Sequence, residues 1–241
     1  MRVTCTQPSY CFWWGQAAML QSVDLFVSFD DVQPEKHSYQ QRCYIKSDKG
    51  KTPLIVPAHM SLSKQIHEIT IDNSQDWRTS HIKSIKQNYS KVRYGGTCDS
   101  LLQVIGAEHE KLADLNIAVS QELYRLLGAK PIQWVRSSSL KVPNRSRVEH
   151  LITVLKSVGA TYYLANKNST YLLREQRAFE KAGIELEFAD FTHEEYAQLY
   201  PPFIPGLSLI DLLMNLGPEK SLEHCQAGIF ARTPESRALC V

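Results

Sequence analysis

At 241 residues the chain has room for one large domain or two small ones, with a sizeable core. Its 43% hydrophobic and 22% charged residues are ordinary for a folded globular protein, and a formal net charge of +2 argues neither for a nucleic-acid binder nor for a membrane-surface protein. Any anion site must therefore be local.

The opening run MRVTCTQPSYCFWW is broken by Gln, Pro and Ser before it is long enough for a signal peptide, and no stretch approaches the length of a membrane span. The expected address is the cytoplasm, with no membrane insertion and no nucleic-acid partner. The six cysteines show no C-x-x-C pair and no regular spacing to histidines, which suits reduced, buried thiols.

In chain order, RVTCT reads as a strand running into Gln7-Pro8 and an aromatic cluster. A helix-compatible run and a second strand, Leu25 to Phe29, follow, and that strand ends on Asp30-Asp31. RCYIK and TPLIVPA flank the Gly-containing turn SDKGK as a hairpin, and IHEITI reads as a further short strand. A helix is predicted from Asp76 to Tyr89, a break at Tyr94-Gly95-Gly96-Thr97, and one or two helices from Leu101 to Leu127. Strands and helices then alternate: PIQWV, a helix from Arg145 to Val158, TYYLA, a helix from Thr170 to Ala182, and IELEFADF. Ser208 and Asp211 have the spacing of a helix cap, and residues 227 to 241 read as a loosely held tail.

The fold class expected is α/β, a mainly parallel sheet of βαβ units with a helical middle segment and a small hairpin. The segments are an N-terminal α/β part (1–94), a helical part (95–130), a βαβαβ part (131–226) and the tail (227–241), within one compact domain. In such sheets ligands bind at the carboxyl ends of the strands. Those ends supply Gln7, Asp30-Asp31, Ser137-Ser138-Ser139, Asn166 and Asp190 to His193, which would line one pocket if all strands share a sheet.

The candidate chemistry has two readings at each place. Asp30 and Asp31 can hold a divalent cation or a cationic group, or one can cap a turn while the other is solvated. Lys36, Gln40, Gln41, Arg42 and Lys46 can grip phosphate and sugar, or simply be a solvated hairpin. Tyr10, Phe12, Trp13 and Trp14 can stack on a base or sugar, or be core. His193 suits a general base or an ordinary loop histidine, and His81 is a ligand contact or a helix residue packed near Trp77.

The blocks QPSYCFWWG, LFVSFDDVQ with SYQQRCYIK, the segment from Trp77 through His81 to Tyr89, and HEEYAQLYPPFIPGLSLIDLLMNLGPE resemble the WbqC-like family. That resemblance implies a cytoplasmic protein of bacterial surface-polysaccharide (O-antigen type) biosynthesis, acting on a nucleotide-activated amino sugar. A plausible reaction is amide formation by N-acyl or aminoacyl transfer, which needs an acyl or aminoacyl donor. Lys36 and Arg42 would hold the diphosphate, Tyr10 or Trp14 cover the base or sugar, Asp30 or Asp31 orient the amine, and His193 take its proton. Gln7, Gln33, Gln41, Lys46, His81, Ser137, Ser138 and Asn166 complete the expected substrate-binding set. The alternative is a non-catalytic scaffold subunit, which needs a large exposed apolar surface.

Overall fold

The computed structural model describes residues 1–35, 39–143, 147–192 and 195–234. Its main sheet contains β1 (Arg2–Thr6), β2 (Leu25–Ser28), β5 (Gln133–Arg136), β6 (Tyr162–Ala165), β7 (Glu185–Phe191) and β8 (Ile229–Arg232), in the order β5-β2-β1-β6-β7-β8. The first five strands are parallel and β8 runs antiparallel to β7. The chain thus grows from β1 through β2 toward β5, then returns to the other side of β1 for β6 and β7. That reversal puts the topological switch between β1 and β6, at the carboxyl edge where open α/β sheets bind ligands.

The pairing widens the same place. β1 follows β2 in register as far as Thr6 and Ser28, whereas its ladder with β6 covers only Arg2 and Val3. Beyond it the strands are tied by side chains: Thr4 Oγ1 donates to the Leu164 carbonyl (2.9 Å) and Tyr163 Oη to that of Cys5 (3.3 Å).

Because side chains alternate along a strand, the sheet buries a core on each face. Val3, Cys5, Leu25, Val27, Tyr163 and Phe188 point to one side, where α5 (Arg147–Ser157) supplies Leu151 and Val154 and α6 (Gln176–Ala182) supplies Phe179. Phe26, Leu164 and Phe191 point to the other, against α1 (Trp14–Gln21), α4 (Leu112–Leu126) and α7 (Leu209–Leu216). The hairpin β3 (Arg42–Ser47) and β4 (Gly50–Ile55) joins this second core through Cys43, Ile45 and Leu54. So does α2 (Trp77–Asn88), whose Trp77, His81 and Ile85 recur every four residues on one buried stripe. α3 (Asp99–Gly106) and α8 (Pro218–Ala227) complete the helices.

Helix α1 is buried on most of its surface, so its small residues permit close packing rather than exposing a face. A Cβ on Gly15 would sit 2.3 Å from the Trp13 ring, so this position needs glycine.

Three expectations are corrected. The first half of IHEITI forms a 3-10 turn over Ile66–Glu68, where Gln65 and Glu68 cap each other, and only Thr70 and Ile71 make isolated antiparallel bridges, to Lys111 and Ala58. Residues 170 to 175 are also 3-10, and α6 begins only at Gln176. Part of the expected tail is anchored: Ile229–Arg232 pairs with β7, and Arg232 Nε donates to Asp190 Oδ2 at 2.7 Å, while residues 235–241 lie outside the described residues.

Candidate functional site at the carboxyl edge of the sheet

Gln7, Asp30, Ser137 and Asn166 follow parallel strands and share one sheet edge. The two aspartates differ sharply. Asp30 is fully buried and its carboxylate is saturated: Arg136 Nε (2.7 Å), Ser138 N–H (3.0 Å) and Ser138 Oγ (3.1 Å) all donate to it. Its carbonyl accepts from the His67 N–H at 2.9 Å, and Arg136 continues to Asp114 at 2.6 Å. Asp30 therefore ties the ends of β2 and β5 to α4, and has no lone pair directed at a ligand.

Asp31 turns the other way. Its Oδ1 accepts from the Ser137 hydroxyl, whose oxygen accepts from the N–H groups of Asp30 (3.0 Å) and Asp31 (3.3 Å). Its Oδ2 is 2.9 Å from His150 Nε2. The His150 ring is buried and stacked on Phe29, with centroids 5.5 Å apart. Asp31 is thus oriented by two partners, yet it also lines a cavity of about 710 Å³.

That cavity lies over the switch between β1 and β6. Cys5, Gln7, Phe29, Asp31 and Tyr163 come from the strands and their ends, Gln33 and Glu35 from the β2–β3 loop, and Lys64 and Gln65 from the segment after the hairpin. Arg147 and His150 of α5, with Asn166, Ser169 and Tyr171, close the other side. Its size fits a drug-sized or nucleotide-sized ligand, and its wall is rich in amides. A chain of amides sets Gln7: buried Asn116 donates to the Gln40 carbonyl (2.7 Å), and Gln40 Nε2 donates to Gln7 Oε1 (2.6 Å). The Gln7 NH₂ group donates one N–H to the Gln33 carbonyl at 3.5 Å, and its second N–H is what can donate to a ligand. Cys5 offers no ready nucleophile, since burial and then the nearby Asp31 and Asp30 push its thiol well up.

The model of the WbqC-like protein family matches residues 7–223. The chain belongs to that family. The uncharacterized protein Rv1507c of Mycobacterium tuberculosis is 26% identical over 232 residues, covering 93% of this chain and 99% of that protein. No solved structure matches.

Placed on the structure, the expected site residues separate into a cavity set and a core set. Gln7, Asp31, Gln33 and Asn166 line the cavity, while Ser137 stands behind it and holds Asp31, and Ser138 holds the buried Asp30. Tyr10 and Trp14, expected over a base or sugar, are buried on the opposite core face, because the aromatic cluster packs under α1. Tyr10 Oη and His81 Nδ1 are 3.0 Å apart, and burial lowers the His81 pKa to about 4. Gln41 and Arg42 enter the hairpin and Lys46 lies inside it, none of them on the cavity wall.

Lys46 is 2% exposed, and its Nζ donates to Gln198 Oε1 (2.7 Å) and to the Pro202 carbonyl. Asp211, expected as a cap, is fully buried and accepts from Tyr89 Oη and Tyr196 Oη, each at 2.7 Å. Lys36 and His193 lie outside the described residues. Among the described residues no three His, Cys, Asp or Glu side chains are grouped to hold a metal ion, and no helix is long and apolar enough to cross a membrane.

Sequence reasoning missed Arg147, His150, Lys64 and Tyr171. A signal existed for two of them: a helix that follows a strand starts at the carboxyl edge, so the first turn after PIQWV had to lie near the Asp pair.

Proposed function

We propose that this WbqC-like protein is a cytoplasmic enzyme of surface-polysaccharide biosynthesis that transfers an acyl or aminoacyl group to the amine of a nucleotide-activated sugar in the switch-point cavity. The observation that carries this reading is Asp31, a carboxylate held by Ser137 and His150 and still open to a polar cavity. An amine attacking a carbonyl gains positive charge on nitrogen and must lose a proton. A fixed carboxylate stabilises that charge and accepts the proton; collapse of the tetrahedral adduct then breaks the carbonyl–sulfur bond of a thioester donor and releases the thiol, which takes up that proton. The Gln7 NH₂ group supplies a donor for the oxygen that becomes negative in the same step, and Gln40 keeps it aimed. Amides such as Gln33, Gln65 and Asn166 suit sugar hydroxyls, and the Tyr171 ring suits a sugar or base face.

The test incubates the protein with a panel of nucleotide-linked amino sugars and acyl thioesters, with mass spectrometry of the products. An acylated amino sugar formed by the wild type and lost in Asp31→Asn supports the reading. Product formation that survives in Asp31→Asn rejects it.

A further inference from the structure

Resting on the cavity reading above, we infer that the mouth of the cavity is a diphosphate subsite formed by Arg147 and Lys64, with Glu35 as a built-in competitor for Arg147.

Arg147 stands at the start of α5 and Glu35 in the loop after β2, so they reach the cavity from opposite walls. Their charged groups meet at 3.0 Å. The Arg147 guanidinium also lies over the Tyr171 ring, 4.6 Å from its centroid. Stacking fixes the plane of the guanidinium and leaves its N–H edge for an anion. Lys64 stands on the wall that carries Glu35, is exposed, and forms no ion pair among the described residues.

Both side chains of the Arg147–Glu35 pair are more than half exposed, 64% and 59%. An ion pair in that setting contributes little to stability, and an incoming anion of higher charge displaces the carboxylate at small cost. Asp31 and Glu35 are the acidic groups of the cavity, so a bare anion is disfavoured deep inside and favoured at the mouth. Two cations on separate walls suit a diphosphate, which spans them, better than a single phosphate.

Isothermal titration of the full chain with inorganic pyrophosphate, orthophosphate and uridine diphosphate tests this. Pyrophosphate and uridine diphosphate should bind more tightly than orthophosphate, and more weakly as salt rises. Arg147→Gln should weaken pyrophosphate binding about tenfold or more, the loss of a charge-assisted contact. Glu35→Gln should tighten it, by up to about fivefold for release of an exposed pair. Unchanged pyrophosphate affinity in Arg147→Gln would overturn the subsite, and no gain in Glu35→Gln would overturn the competition. Thermal melts of both variants establish that they fold. Asp31→Asn, made in parallel, removes a negative charge from the cavity and should bind pyrophosphate at least as tightly as the wild type. Loss of amide formation there with undiminished pyrophosphate affinity keeps the two proposals separately testable.

Discussion

Asp211 and Asp31 are both carboxylates held by hydroxyl groups, yet one is sealed and the other faces a cavity. Around Asp211, two tyrosine hydroxyls and the nearby Lys46 surround the acid on the core side of the sheet. Burial raises the Asp211 pKa, and the Tyr89 and Tyr196 hydroxyls and Lys46 only partly offset that rise. Around Asp31, Ser137 and His150 fix the carboxylate while the gap between β1 and β6 leaves it within reach of a ligand. The chemistry of the groups is therefore a poor guide to function; what matters is whether the surrounding strands close over them.

The largest effects should come from the sealed positions. Asp211→Asn should cost about 3 kcal/mol of unfolding free energy, because removing one member of a buried charged set strands the others. Urea titration measures that loss, and turnover of the protein that remains folded should be unchanged. Asp30→Ala belongs in the same class despite its place beside Asp31, since it leaves Arg136 Nε and both Ser138 donors without their acceptor. A similar cost of about 3 kcal/mol is expected, and a normal urea midpoint would move Asp30 out of the sealed set.

His81 gives the next effect. Its folded pKa, about 4, lies below the ordinary 6.5, so the unfolded chain takes up the proton first. Its contribution is present above pH 6.5 and is lost as pH falls toward 4, on the order of 3 kcal/mol at most. A His81→Gln chain should show a flatter stability profile over that window, and an unaltered slope would contradict the assignment. Tyr196→Phe should cost less, about 1 kcal/mol, by deleting one hydrogen bond to Asp211. A Tyr196→Phe variant as unstable as Asp211→Asn would show that the hydroxyls, not the carboxylate, hold the centre.

The parallel sheet was legible because β5, β6 and β7 are short apolar runs separated by helices that stop at glycines. Gly128, Gly159 and Gly183 each adopt a positive φ near 70°. β8 was hidden because IFAR is too short to show a period, buries none of its four residues and acquires its conformation from the edge of β7. IHEITI misled because isoleucines two and three residues apart fit a strand and a 3-10 turn about equally well. At the site, Gln7, Asp31 and Asn166 were legible from the ends of their strands. Tyr10 and Trp14 were not separable from core aromatics, since a ring near a strand end is written the same way whichever sheet face receives it. Ser208 does cap α7, its Oγ accepting from the Ile210 N–H at 3.3 Å. Asp211 matched the rest of that motif, but Tyr89 and Tyr196, remote in sequence, claim its side chain.

On the function proposed above, Asp31 works on the ligand while Asp211 works on the fold. The direct measurement is turnover and melting temperature for Asp31→Asn and Asp211→Asn side by side, using whichever amino-sugar and acyl-donor pair gives an amide product. The account predicts that Asp31→Asn loses turnover by about 100-fold or more, near 2.8 kcal/mol of transition-state stabilisation, with little change in melting temperature. Asp211→Asn should show the reverse. An Asp31→Asn protein that turns over at the wild-type rate would contradict the account.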